Sequence, residues 1–204
     1  MNPSCPDRLF LHASSVVVNG GALLFLGHSA AGKSTLAQLL EKTYPILADD
    51  SVFASRDPHG FWRVLDGKFR FENGGVFNWD KAVRRRSAEG PSIPLLGCLR
   101  IHKAQHVKVA GLVPVETTRY LMDAVMEVDL QGKFGRLLKG AEQEKSTIAR
   151  VRQMRLHWFH LAADIARVCP CWQLWFPRDS HFPDLLNAIS AVATEVCRVE
   201  KSLP

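Results

Sequence analysis

Gly27-His28-Ser29-Ala30-Ala31-Gly32-Lys33-Ser34 fits the pattern of a glycine, four residues, then Gly-Lys-Ser or Gly-Lys-Thr. Its flanks agree with a phosphate-binding loop. Ala22-Leu23-Leu24-Phe25-Leu26 before it is a continuous apolar run, the pattern of a strand buried on both faces. After it, Ser34 to Lys42 reads as a helix with Leu36, Leu39 and Leu40 along one side. Gly27 and Gly32 let the backbone curl and approach a phosphate with no side chain in the way. Successive N–H groups then point inward, and the helix N-terminus adds partial positive charge. Lys33 can reach the outer phosphates of a nucleotide, and the Ser34 hydroxyl can ligate Mg2+. The reading is a nucleoside triphosphate site built from Gly27, His28, Ser29, Ala30, Ala31, Gly32, Lys33, Ser34 and Thr35.

Working outward, Asn19-Gly20 separates the apolar runs 14–18 and 22–26, which is a hairpin signal. The two runs are expected to be antiparallel neighbours, although a phosphate-loop strand more often has parallel neighbours on both sides. Downstream, Tyr44-Pro45-Ile46-Leu47-Ala48-Asp49-Asp50 is a short apolar run ending in two carboxylates. With the preceding helix it predicts a strand–helix–strand unit. That places Asp49 and Asp50 at the carboxyl end of a strand, where open α/β sheets bind ligands. Neighbouring strand residues point to opposite faces, so both carboxylates face the phosphates only if the strand ends there and the backbone turns.

Residues 51–80 read as a β meander with turns at Asp57-Pro58-His59-Gly60, Asp66-Gly67 and Asn73-Gly74-Gly75. Phe61, Trp62, Val64, Leu65, Phe69 and Phe71 are assigned to the core or a sheet face. Arg84-Arg85-Arg86 reads as a solvated run, with contact to an anion or acidic partner as the alternative. Further strands are expected at Leu95–Ile101, Val107–Val115 and Cys171–Phe176, and helices at Thr117–Glu127, Ile148–Val168 and from Pro183 to about Glu200. The polar segment 128–147, with Lys133, Arg136 and Lys139, is an ordinary surface connection. His157 and His160 lie on or beside the apolar stripe of their helix and are taken as packing or surface residues.

The totals are those of one globular domain spanning 1–204, with 47% apolar and 23% charged residues. No run approaches the roughly eighteen apolar residues of a membrane span, and the first residues do not read as a signal peptide. A cytoplasmic protein is expected. The five cysteines are scattered, and Cys169-Pro-Cys171 lacks the spacing of zinc or redox pairs, so buried or idle thiols are expected. The net charge of +6 suits an anionic ligand or an acidic partner. No basic face with interleaved aromatics marks a nucleic-acid surface.

Three features coincide: Leu11-His12-Ala13-Ser14 before the hairpin, the Gly-Lys-Ser loop, and Ala48-Asp49-Asp50. Together they resemble the catalytic domain of HPr serine kinase/phosphorylase, and more closely the short HPr-kinase-like proteins that act on peptides or small molecules. The resemblance covers residues 9–53 well. It implies an α/β fold, a phosphate-loop mixed sheet with flanking helices related to phosphoenolpyruvate carboxykinase. It implies ATP-dependent, Mg2+-assisted phosphorylation of a serine hydroxyl. Lys33 and the loop would hold the phosphates, Ser34 and Asp50 the metal, and Asp49 would be the base. His12 would lie against the carboxylates and orient them. His28 and Ala30 depart from the Asp and Gly usual in those kinases, and their Arg-Gly-Leu-Gly-like signature is absent.

Without the family, phosphoryl transfer needs charge neutralised at the γ-phosphate, in-line positioning and a group to take the nucleophile's proton. The loop supplies the first, and Asp49 or Asp50 the last. The acceptor is expected to be a serine on a peptide or protein, with a small molecule as a variant and an acidic or carboxylate-ending peptide favoured by the basic surroundings. A homo-oligomer is compatible with this reading. The alternative is a nucleotide-binding switch or assembly ATPase that transfers nothing.

Overall fold

The structure is a computed structural model describing residues 7–49, 51–65, 92–131, 145–177 and 182–201. Nine strands form one sheet among these residues: β1 (Arg8–Leu11), β2 (Ala13–Val18), β3 (Gly21–Leu26), β4 (Ile46–Ala48), β5 (Val52–Arg56), β6 (Trp62–Leu65), β7 (Ser92–Lys103), β8 (Lys108–Gly111) and β9 (Cys171–Phe176). The helices are α1 (Lys33–Leu40), α2 (Pro114–Gln131), α3 (Lys145–Val168) and α4 (Phe182–Lys201). The strand order is β1-β5-β6-β7-β3-β2-β4, with β9 also paired to β7 and β8 to β9. β2 follows β1 after the single residue His12 although five pairings separate them along that path, so the sheet curls to bring the two together.

The hairpin forms as its turn residues dictate. Asn19 and Gly20 take φ of 51° and 82°, the positive pair of a two-residue turn, and β2 runs antiparallel to β3 from Ala13↔Leu26 to Val18↔Gly21. On its other side β3 pairs in parallel with β7, which pairs in parallel with β9. The sheet is therefore mixed, with the parallel part at its centre.

Alternation along β3 divides the interior in two. Ala22, Leu24 and Leu26 pack with Leu121, Ala124 and Val125 of α2 and with Leu161, Ala162 and Ile165 of α3. Leu23 and Phe25 pack on the opposite face with Leu36 and Leu40 of α1 and with Leu185 and Ile189 of α4. Every residue from Ala22 to Leu26 thus serves one core or the other, and each fully buried Leu or Phe contributes about 1.5–3 kcal/mol.

Some expectations hold in outline and others are narrowed. The strand after α1 closes the expected strand–helix–strand unit, one strand away from β3. It pairs antiparallel with β2, through Ser15↔Ala48, so β3 and β4 are mutually parallel with β2 between them. The expected strand at Val107–Val115 is only Lys108–Gly111, because Pro114 opens α2, where a missing N–H costs nothing. The turn at Asp57–Gly60 forms, with Asp57 Oδ1 accepting from His59 and Phe61 N–H at 2.9 Å each. The turns at 66–67 and 73–75, together with Phe69, Phe71, the 84–86 arginines, Lys133, Arg136 and Lys139, lie outside the described residues. Cys98, Cys169 and Cys171 are free buried thiols. No described helix is long and apolar enough to cross a membrane.

Candidate functional site

β3 ends at Leu26 and α1 begins at Lys33, so the loop crosses from a fully buried strand to a helix N-terminus in six residues. Two of them carry the left-handed backbone that makes so tight a path feasible: Ala30 at φ 61° and Gly32 at φ 103°. Gly27 is required for a different reason. A Cβ there would come within 2.8 Å of the Ala31 Cβ and 3.0 Å of Ile101 Cγ1. The loop closes on itself through Ala31 N–H donating to His28 O at 3.0 Å.

Lys33 is only 6% exposed, yet its ammonium is satisfied. Nζ donates to the carbonyls of Gly27 at 2.7 Å and His28 at 3.1 Å, both in its own loop. Both bonds are charge-assisted, because the donor is an ammonium. Ser34 is half-buried at the second position of α1, and Thr35, His28, Ser29 and Ala30 are exposed.

Asp49 follows the end of β4 and accepts a 2.8 Å bond from Ser14 Oγ of β2, whose side chain is fully buried. Ser14 is level with Phe25 of β3, so Asp49 stands near the carboxyl end of the loop strand. Two strand spacings, about 10 Å, separate β4 from β3. Asp50 lies outside the described residues.

His12 sits at the β1–β2 junction, where its N–H donates to Ala124 O of α2 at 3.0 Å. Its ring meets Glu127 of α2, with Nε2 3.8 Å from Oε2. The same carboxylate accepts Ser29 N–H of the loop at 2.8 Å through Oε1. Glu127 thus joins His12, α2 and the loop, and it occupies an N–H of the kind a phosphate would use. Sequence reasoning missed Glu127 and Ser14. Ser14 falls in the stretch that carries the resemblance but is given no role there, and Glu127 reads as one more polar residue on an amphipathic helix.

The residues present fit a nucleotide with Mg2+. The glycine cradle, the helix N-terminus and the buried Lys33 suit a polyphosphate. Mg2+ is held by one or two protein oxygens together with phosphates and water, which Ser34 and a carboxylate can supply. No family model matches the sequence, and no curated protein matches it. Among solved structures, the Hpr(Ser) kinase/phosphatase from Coxiella burnetii is similar with a TM-score of 0.41 and 10% identity, over 95% of this chain and 99% of that one. A superposition that loose leaves the functional reading to the side chains.

Proposed function

We propose that this chain is a cytoplasmic kinase that uses Mg-ATP to phosphorylate a serine hydroxyl on a peptide or protein. The observation that carries the reading is Lys33, whose buried ammonium is held by the Gly27 and His28 carbonyls beneath a loop that Gly32 opens with φ 103°. Loop N–H groups bind the phosphates, and Lys33 adds a charge-assisted bond to phosphate oxygens. Ser34 and Asp50 hold Mg2+, which when bound neutralises phosphate charge. Asp49 accepts the proton of the serine hydroxyl as its oxygen bonds to phosphorus and ADP leaves. Ser14 fixes Asp49 Oδ1 and leaves Oδ2 for that proton.

Incubating the chain with γ-labelled ATP and serine-containing peptides tests this. Label is expected on serine. Asp49→Asn is expected to cut transfer by about 10²–10⁴-fold, the usual worth of a general base, while binding ATP as the parent does. Label released only as phosphate, from parent and Asp49→Asn alike, means a hydrolysing switch and not a kinase.

A further inference from the structure

On β7 the central apolar run is interrupted by a charge. Arg100 is only 5% exposed, and its Nε is buried with no hydrogen-bond partner. A buried arginine normally has a paired carboxylate, because an uncompensated buried charge is expensive. Here the guanidinium lies 4.6 Å from the centre of the Tyr120 ring. Asp123 and Glu127 of α2 are within electrostatic reach, but both Glu127 oxygens are engaged, by Ser29 N–H and by His12. Burial lowers the pKa of Arg100, against the pull of Tyr120, Asp123 and Glu127.

Two residues along, and so on the same face of the strand, His102 repeats the situation. Its Nε2 is also buried without a partner, while Gln173 bonds the ring and Trp175 stacks on it at 5.3 Å. Burial first, then the Arg100 charge, lowers its pKa, which favours the neutral imidazole.

Register puts both beside the loop. Arg100 is level with Leu26, the last residue of β3, so His102 extends to the level where the chain has already turned into the loop. His28 of the loop is within electrostatic reach of His102. Cys98 packs in the α2–α3 core while Leu99 and Ile101 pack in the other, so Arg100 and His102 share the face that α2 covers. Glu127 draws the loop toward that same face.

We propose that Arg100 and His102 form an oxyanion subsite beside the phosphate loop. The subsite takes either the outermost phosphate of the nucleotide or an anionic group of the acceptor. The guanidinium offers a planar fork matched to such oxygens, and His102 a single nitrogen about two strand residues further along. This assignment rests on the kinase reading for the identity of its ligand, though its measurement does not.

Calorimetry on the full chain tests it with three probes: Mg-ADP, the Mg complex of the imido analogue of ATP, and inorganic phosphate titrated into that analogue complex. Arg100→Met is expected to leave ADP binding within about threefold of the parent. If the ligand is the outermost phosphate, analogue affinity falls by about ten- to a hundredfold, the usual range for a charged hydrogen bond. If it is an acceptor anion, analogue affinity is kept and the binding of inorganic phosphate to the complex is lost. Arg100→Lys keeps charge and stem and removes the fork, so it reports even if Arg100→Met does not fold. It is expected to weaken the same probe several-fold. Either variant binding all three probes like the parent overturns the proposal. Inorganic phosphate titrated into Lys33→Ala separates the two readings: nucleotide bound normally by that variant defeats the kinase, whereas phosphate lost only on changing Arg100 sustains the subsite.

Discussion

Glu127 is the residue whose charge opposes the site it helps to build. Its Oε1 accepts Ser29 N–H at 2.8 Å, so a negative carboxylate stands where the proposed nucleotide would place its phosphates. Two unit charges about 6 Å apart at an effective dielectric near 20 repel by about 3 kcal/mol before screening, and the 23% exposure of Glu127 reduces that. Glu127→Gln keeps a carbonyl oxygen for Ser29 and removes the charge. Nucleotide affinity is expected to rise by about three- to tenfold, with the gain shrinking at high salt. Unchanged or weakened binding of Mg-ADP in a calorimetric titration refutes the repulsion. Individual residues were legible where their chemistry is local: Gly27, Gly32 and Lys33 are assigned by spacing alone. Arg100 lies in a run that reads correctly as a strand, but nothing within the run tells which face it takes or that Tyr120 covers it.

At the scale of elements, local patterns carried well and pairings poorly. The Asn19-Gly20 turn, the strand into the loop, and the apolar stripe of α3 are written in contiguous residues. That β4 pairs beyond β2 is decided by contacts between distant segments, which no window of sequence contains. The docking of α3 on the curled sheet is of the same kind. Asp164 of α3 accepts Trp62 Nε1–H of β6 at 2.9 Å and meets Arg56 of β5 at 2.7 Å. Burial raises the pKa of Asp164, but bonds from Trp62 and Arg167 and the Arg56 charge outweigh it, leaving the value below normal. A carboxylate with a lowered folded-state pKa adds stability above its unfolded value near 3.9, and loses it as pH falls through the folded value. Asp164→Asn is therefore expected to cost about 1–2 kcal/mol in urea unfolding at pH 7 and pH 5, with the difference closing below about pH 3.9. A gap that does not narrow as pH falls below about 3.9 assigns the loss to packing instead. On β9's other neighbour, a Cβ at Gly97 of β7 would meet Pro170 O at 2.6 Å and the Trp172 ring at 2.8 Å, whereas one at Gly111 of β8 meets nothing within 4 Å. Gly97→Ala should cost about 1–3 kcal/mol or more, and Gly111→Ala well under 1 kcal/mol. Equal midpoints for the two variants contradict the close approach of β7 to the turn before β9.

For the whole molecule, the loop lies where the two cores meet. Its strand is buried on both faces, its helix belongs to the α1–α4 side, and Glu127 ties its tip to the α2–α3 side. A ligand bound there contacts a segment that global unfolding must release, so occupancy should stabilise the entire domain and not just the loop. The linkage is RT ln(1 + [L]/Kd), about 2.7 kcal/mol at a hundredfold excess over Kd. For a domain of this size 1 kcal/mol moves the midpoint by about 2–4 °C, so saturating Mg-ATP is expected to raise Tm by about 5–10 °C in a single transition. Lys33→Ala removes the charge-assisted contacts, and its midpoint is expected to stay within about 2 °C of its own value without nucleotide. A rise of the same size in Lys33→Ala places the stabilising ligand outside the loop. Two separate transitions, with only one moved by nucleotide, would mean that the α2–α3 side unfolds independently of the strand on which it packs.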